Sequence, residues 1–313
     1  MRAVLLLLPS VLVFGTAELA LRHAQRDEWP WGIARDDPEL GWVLNPGWSG
    51  RYHGTTVTIS DAGLRDPRPA AALREMPGAW VFLGDSVVMG YGVGEDDSLP
   101  RALERVLGEP VVNAGVIGYG TAQEIALLGR IPVADPGILL GVCLNDIASQ
   151  DQYQLRTVPV GRLGALAESM RRRSALFHWM RERAHALMRR AGKTDEGHAR
   201  DYTVAELEAR LEREPDSALR DLRDGVRRLA RIGGAVVVFP YREQIAVDAS
   251  SRAQDAIVAE VRIAGVPCLD LLPIFRKEGG TDLYHDNCHL SARGARVAAN
   301  AIAATLVRPT ASR

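Results

Sequence analysis

Five short apolar runs punctuate the chain at Trp80–Leu83, Val111–Val112, Ile138–Leu144, Ala235–Phe239 and Val266–Leu269. Their length and lack of strict alternation predict strands buried on both faces, as in a parallel sheet. Between and after them, helical patterns over Leu99–Leu107, Thr121–Leu128, Ser250–Ile263 and Ser291–Leu306 supply the covering layers. The alternation predicts an α/β protein: a three-layer α/β/α sandwich with a central parallel sheet of about five strands, its functional groups at the carboxyl ends of the strands. Residues 150–232 read as a helical insertion between the third and fourth strands. It carries Arg171, Arg172, Arg173, Arg181, Arg183, Arg189 and Arg190 among Leu176, Phe177, Trp179, Met180 and Leu187. A solvated helical face is the default for such a pattern; a lid over the site, a surface for an acidic polymer and an amphipathic patch on lipid headgroups are the functional readings.

The N-terminal segment has a different texture. Met1-Arg2 precedes an apolar run from Ala3 to Leu21, so residues 1–22 are expected to be a signal peptide, with Gly15-Thr16-Ala17 as a small-residue cleavage site, or an uncleaved membrane anchor. Residues 23–78 form an extension rich in Pro, Gly and Trp, with a short alternating strand at Thr56-Val57-Thr58-Ile59. Trp42 and Trp48 are read as packing this extension onto the main domain, residues 79–308, in preference to forming a substrate rim.

Composition narrows the classes. The 313 residues are 47% hydrophobic and 25% charged with a formal net charge of -1, so no global charge argues for nucleic acid. Three cysteines exclude a disulfide-rich scaffold.

The chemistry lies at the strand ends. Val81-Phe82-Leu83-Gly84-Asp85-Ser86 delivers a serine from an apolar strand into a turn, and Asp286-Asn287-Cys288-His289 sets a carboxylate and an imidazole three residues apart. A serine hydroxyl becomes a nucleophile when an imidazole removes its proton and a carboxylate fixes that imidazole's tautomer. Taken singly, Ser86 reads as a turn residue, His289 as helix punctuation and Asp286 as a surface loop residue. Two further strand ends, Asn113-Ala114-Gly115 and Asn145-Asp146, shift the balance: a glycine amide at Gly115 and the side-chain amide of Asn145 are suited to hold an oxyanion.

Rival motifs are weaker. Val88 stands where the Gly-x-Ser-x-Gly elbow needs its last glycine. Ala191-Gly192-Lys193-Thr194 lacks the first glycine and the strand of a phosphate loop, and Gln123 replaces the third glycine of a dinucleotide fingerprint begun by Gly118-x-Gly120. His285, Asp286, Cys288 and His289 have the composition of a metal site but no second cluster to complete it, so no metal is expected.

In this order, Ser86, Gly115, Asn145 and His289 resemble the four signature blocks of the SGNH hydrolase superfamily, the GDSL-like esterases and lipases, from about Ala79 to Leu306. The resemblance implies a flavodoxin-like hydrolase fold, a Ser86, Asp286, His289 triad, an oxyanion hole of Ser86, Gly115 and Asn145, and no cofactor. Two departures stand out: Cys143 occupies the place of a glycine two residues before the asparagine, and the first block reads Gly-Asp-Ser-Val in place of Gly-Asp-Ser-Leu. The stretches Asp37–Trp42 and Ser60–Arg65 are similar to the preamble of membrane-anchored bacterial members. The expectation is an exported, outward-facing, membrane-attached serine esterase acting on acyl, including acetyl, esters of a carbohydrate or lipid. The alternatives are an O-acyltransferase using the same triad on a polysaccharide and a catalytically silent glycan-binding or scaffold module.

Overall fold

The computed structural model describes residues 2–24, 33–148, 174–177, 179–180, 183, 202–246 and 248–306. Most of the arginine-rich part of the insertion, with Arg171, Arg172, Arg173, Arg181, Arg189 and Arg190, and the segment Ala191–Thr194 lie outside them.

A helix, α1 (Arg2–Ala24), opens the chain, and two antiparallel hairpins follow: β1 (Ala34–Asp37) with β2 (Gly41–Leu44), and β3 (Ser49–Tyr52) with β4 (Thr55–Thr58). After a short helix α2 (Ala70–Arg74) come β5 (Trp80–Gly84), α3 (Ser86–Met89), α4 (Leu99–Leu107), β6 (Val111–Gly115), α5 (Thr121–Leu127) and β7 (Gly137–Cys143). The remainder comprises α6 (Val204–Arg213), α7 (Pro215–Ala218), α8 (Arg220–Ile232), β8 (Ala235–Phe239), α9 (Arg252–Ile263), β9 (Cys268–Asp270), α10 (Leu272–Glu278) and α11 (Ala292–Thr305).

Strands β5 to β9 form one parallel sheet in the order β6-β5-β7-β8-β9. All five residues of β6 and of β8 are buried, which is why their sequences show no alternation. Helices α4 and α11 pack on each other, and α5, α8 and α9 form a second group, so the sheet is covered on both sides. This is the α/β/α sandwich that the apolar runs predict. The last strand differs in detail: Val266 and Pro267 precede it and pairing begins at Cys268, because proline has no N–H for a ladder.

The register is tight at the end that matters. Gly84 of β5 pairs with Gly115 of β6, and Leu83 with Leu140 of β7, so the loops leaving β5, β6 and β7 emerge side by side. A Cβ on Gly115 would fall on the backbone of Met89, and one on Gly84 on Val88. Both glycines let α3 lie directly across the strand ends.

Among the residues whose side chains are described, no helix is long and apolar enough to cross a membrane; the apolar run that begins at Ala3 lies only partly within them.

Candidate active site

Asp85 follows β5 and caps α3, its Oδ1 accepting from the Val87 N–H at 2.8 Å. Ser86, the first residue of that helix, is thereby fixed at the carboxyl end of the sheet, nearly buried. From the far end of the chain, a tight loop closed by the Tyr284–Leu290 bridge and by the His285 N–H to the His289 carbonyl, 2.8 Å, brings the imidazole over it. Arg242 N–H to Asn287 O and Tyr284 Oη to Pro240 O, both 2.8 Å, tie this loop to the end of β8.

The three side chains form a continuous hydrogen-bonded chain: Ser86 Oγ to His289 Nε2 is 2.8 Å, and His289 Nδ1 to Asp286 Oδ2 is 2.7 Å. Asp286 Oδ1 also accepts the N–H of His289 at 2.9 Å and of Cys288 at 3.1 Å. Burial alone pushes the Asp286 carboxyl up. The bond and charge of His289, with those two amides, outweigh it and hold the carboxyl well below its usual range. An ionised carboxylate only accepts, so Nδ1 carries the proton and the Nε2 lone pair faces the serine hydroxyl. That is the arrangement of a general base beside a nucleophile.

Asn145 is the second residue of the short turn after β7, and its Nδ2 donates to Asp85 Oδ2 at 2.9 Å. One amide proton is thus used for orientation, and the second has no partner among the described residues. Burial raises the Asp85 carboxyl, opposed by Asn145, the Val87 amide and the charge of His289. Asp146 holds the same turn: its Oδ2 accepts from Cys143 N at 2.9 Å and its Oδ1 from the N–H and hydroxyl of Thr121 at 3.1 Å. Burial, then the neighbouring Asp85, pushes the Asp146 carboxyl up to about 7. With Cys143 N–H bound in this way, its side chain is buried behind the turn and the departure at that position leaves Asn145 in place.

Gly115 differs from the expectation. It is the last residue of β6, and its N–H donates to the Asn113 side chain at 3.1 Å, while Val116 N–H is taken by Gly84 O at 2.9 Å. Its lack of a side chain serves the packing of α3, and its amide is not open to an oxyanion. The turn that follows presents the N–H of Gly118, at φ 70°, which has no hydrogen-bond partner among the described residues.

Asp85 and Gly118 were not singled out by sequence reasoning as site residues. The signal for Asp85 is its place between a buried strand and a helix start, the ordinary position of a cap. Gln123, in the place of the dinucleotide glycine, caps α5 through Oε1 to Gly120 N–H, 3.2 Å, and donates Nε2 to Leu40 O, 2.8 Å. Ligand atoms of Asp286, Cys288 and His289 lie within 4.8 Å of one another, yet both imidazole nitrogens are engaged, with Asp286 and with Ser86. Trp42 packs the extension down, its Nε1 donating to Ile117 O at 3.0 Å and its ring meeting Tyr119 edge-on at 5.4 Å.

The sequence model of the GDSL-like Lipase/Acylhydrolase family matches residues 82–297. No curated protein matches the chain. Among solved structures, similar ones include a member of the lipolytic G-D-S-L family from Veillonella parvula, at 13% identity and a TM-score of 0.40 over 74% of this chain and 99% of that one. A second is a SGNH hydrolase from Slackia heliotrinireducens, at 16% and 0.41 over 74% and 99%. A third is an acetylxylan esterase from Geobacillus stearothermophilus, at 17% and 0.41 over 76% and 100%. The family match spans more than half of the chain, both ends of the hydrogen-bonded triad included, and the chain belongs to the GDSL-like lipase/acylhydrolase family of serine hydrolases acting on ester bonds.

Proposed function

We propose that this protein hydrolyses acyl esters, acetyl esters among them, of a carbohydrate or lipid through an acyl-enzyme on Ser86. The observation that carries this reading is the unbroken chain from Ser86 Oγ through His289 to Asp286, at 2.8 and 2.7 Å. Ser86 Oγ attacks the ester carbonyl carbon as His289 Nε2 takes the hydroxyl proton. The imidazolium so formed is stabilised by Asp286 and gives its proton to the departing alcohol oxygen. Water, deprotonated by the same imidazole, then releases the acid and frees Ser86. The oxyanion of each tetrahedral intermediate is held by the Ser86 N–H, the second proton of Asn145 Nδ2 and, in place of Gly115, the N–H of Gly118. No step calls for a cofactor.

The protein works on the outer side of a membrane to which α1 holds it. Supporting this, Leu12, Val13, Phe14 and Leu19 are exposed on that helix. Glu18 also reaches across the sequence, accepting from Ser174 Oγ at 2.8 Å and from the N–H groups of Ala175 and Leu176 at 2.9 Å. These contacts tie the end of α1 to residues 174–176.

Turnover of p-nitrophenyl acetate by the full chain tests the reading. Wild-type protein is expected to turn over and to be labelled by a fluorophosphonate, and Ser86→Ala to do neither. Equal turnover by both would remove the proposal.

A further inference from the structure

The face of the His289 imidazole is covered by an aromatic stack that begins outside the hydrolase core. Tyr91 lies just past α3, after Gly90 at φ 88°, and its N–H donates to Ser86 O at 3.0 Å. The turn that fixes the nucleophile therefore fixes Tyr91 as well. The Tyr91 ring stacks on His289 with centroids 4.1 Å apart and planes at 21°. A second imidazole, His53, lies 4.3 Å from the same ring at 35°. Tyr91 is therefore in contact with both imidazoles, stacked on His289 and tilted against His53. Tyr52 closes the cluster edge-on, 4.5 Å from His53 and 5.8 Å from Tyr91.

His53 sits at the tip of the β3–β4 hairpin, where Tyr52 pairs with Thr55 and the two-residue connection His53-Gly54 has φ of 47° and 80°. Such turns favour Asn, Asp or Gly at the first central position, and histidine there is conformationally costly. Here it carries a ring to Tyr91. Burial first, and then the charge of His289, lower the His53 imidazole from its ordinary value, with the charge of Asp286 opposing them.

We propose that Tyr91, backed by His53, is a positioning residue for His289, so that the N-terminal hairpin is a working part of the active site. This rests on the reading of Ser86 and His289 as nucleophile and base. Asp286 grips the imidazole by one edge only and is itself partly open to solvent. The Tyr91 ring restrains rotation about the remaining axis, keeping Nε2 aimed at Ser86, and its π face attracts the imidazolium formed when the proton is taken.

The test is steady-state hydrolysis of p-nitrophenyl acetate by the full chain, with thermal melting to report folding. Tyr91→Leu is expected to lower kcat about ten-fold with KM changed less than about two-fold, and Tyr91→Phe, which restores the ring, to recover most of it. His53→Asn suits a positive φ and keeps the turn while removing the ring; it should lower kcat about three-fold at an unchanged melting temperature. That variant carries the test should Tyr91→Leu not fold. Wild-type kcat in both Tyr91→Leu and His53→Asn would overturn the proposal, as would a Tyr91→Phe as impaired as Tyr91→Leu. Ser86→Ala, measured alongside, separates the two readings: full turnover there sinks the assignment of nucleophile and base, whereas a dead Ser86→Ala with active ring variants sinks the stack alone.

Discussion

Strands β5 to β9 hold together through side chains such as Val81, Phe82, Val112, Leu139, Val237 and Phe239, all without solvent exposure, whereas the hairpins of residues 33–58 and the segment up to Arg68 join the same core through Leu40, Leu44, Val57, Ile59 and Leu64 and add to it a set of directed polar contacts. Gln123 and Trp42 bridge backbone carbonyls across the junction, and Arg130 pairs with Asp37 at 2.6 Å. Below them, the fully buried Arg65 donates to the carbonyls of Met89 at 3.0 Å, of Val93 at 2.7 Å and of Gly90. Asp66 meets Arg68 at 2.7 Å and Arg101 at 2.9 Å. Apolar burial is non-directional and builds the platform on which Ser86 stands. Directed, charge-assisted bonds fix the loop of residues 89–93 that carries Tyr91. The site thus has a base set by packing and a rim to which packing and directed hydrogen bonds both contribute, and the two halves should fail differently.

The largest effect is expected on the sheet side. Asp286→Asn keeps the shape but replaces an acceptor with a group that also donates, which favours the wrong imidazole tautomer; kcat for p-nitrophenyl acetate should fall about 10⁴-fold with little change in melting temperature. A fall of less than ten-fold would mean that Asp286 does not govern the imidazole.

Next comes the junction. Arg65→Leu removes the donor from the Gly90 and Val93 carbonyls, leaves Met89 O with Asn113 Nδ2 alone, and takes from Glu95 a partner whose Nε lies 3.3 Å from its Oε2. A loss of about 3 kcal/mol in denaturant unfolding is expected, together with lowered kcat as the Tyr91 loop is released. Stability unchanged within experimental error would show the extension to be held by its apolar contacts alone.

A pH effect separates the halves further. The Asp146 carboxyl is raised in the fold to about 7 from an ordinary 3.8, by burial and by Asp85. Its contribution to stability is full below the lower value and is lost as pH rises through the higher one. Melting temperature should therefore decline from about pH 4 to above pH 7, with Asp85 and Glu124, also raised by burial, adding to the same slope. Asp146→Asn should make that decline shallower by roughly 2 kcal/mol at pH 8, measured by thermal unfolding across the range. An unaltered slope would place the titration elsewhere.

The smallest effect belongs to a single bridge. Trp42→Phe removes the bond from Nε1 to Ile117 O and should cost about 1 kcal/mol while leaving Ser86 reactivity toward a fluorophosphonate intact.

Much of the platform was legible in the sequence because parallel strands buried on both faces announce themselves as short apolar runs, and because the residues that leave their carboxyl ends share one edge. Ser86, Asn145 and the Asp286, His289 pair were found in this way, and the structure brings them together. Gly115 shows where such reading stops. Spacing alone points to the glycine at the strand end, but the Asn113 side chain folds back two residues and takes its amide, a local choice that no periodicity records. Trp42, read as packing in preference to a substrate rim, does pack at the junction.

The sequence by itself determined the order of the elements and the identities of the hydroxyl, imidazole and carboxylate, since these follow from local pattern and short spacing. Only the tertiary structure decided that residues 53, 91 and 289 share one stack and that Arg65 underpins it. Ring faces and buried carbonyls meet across distant stretches of chain, and an imidazole at a hairpin tip gives no local hint of the ring it will lie against.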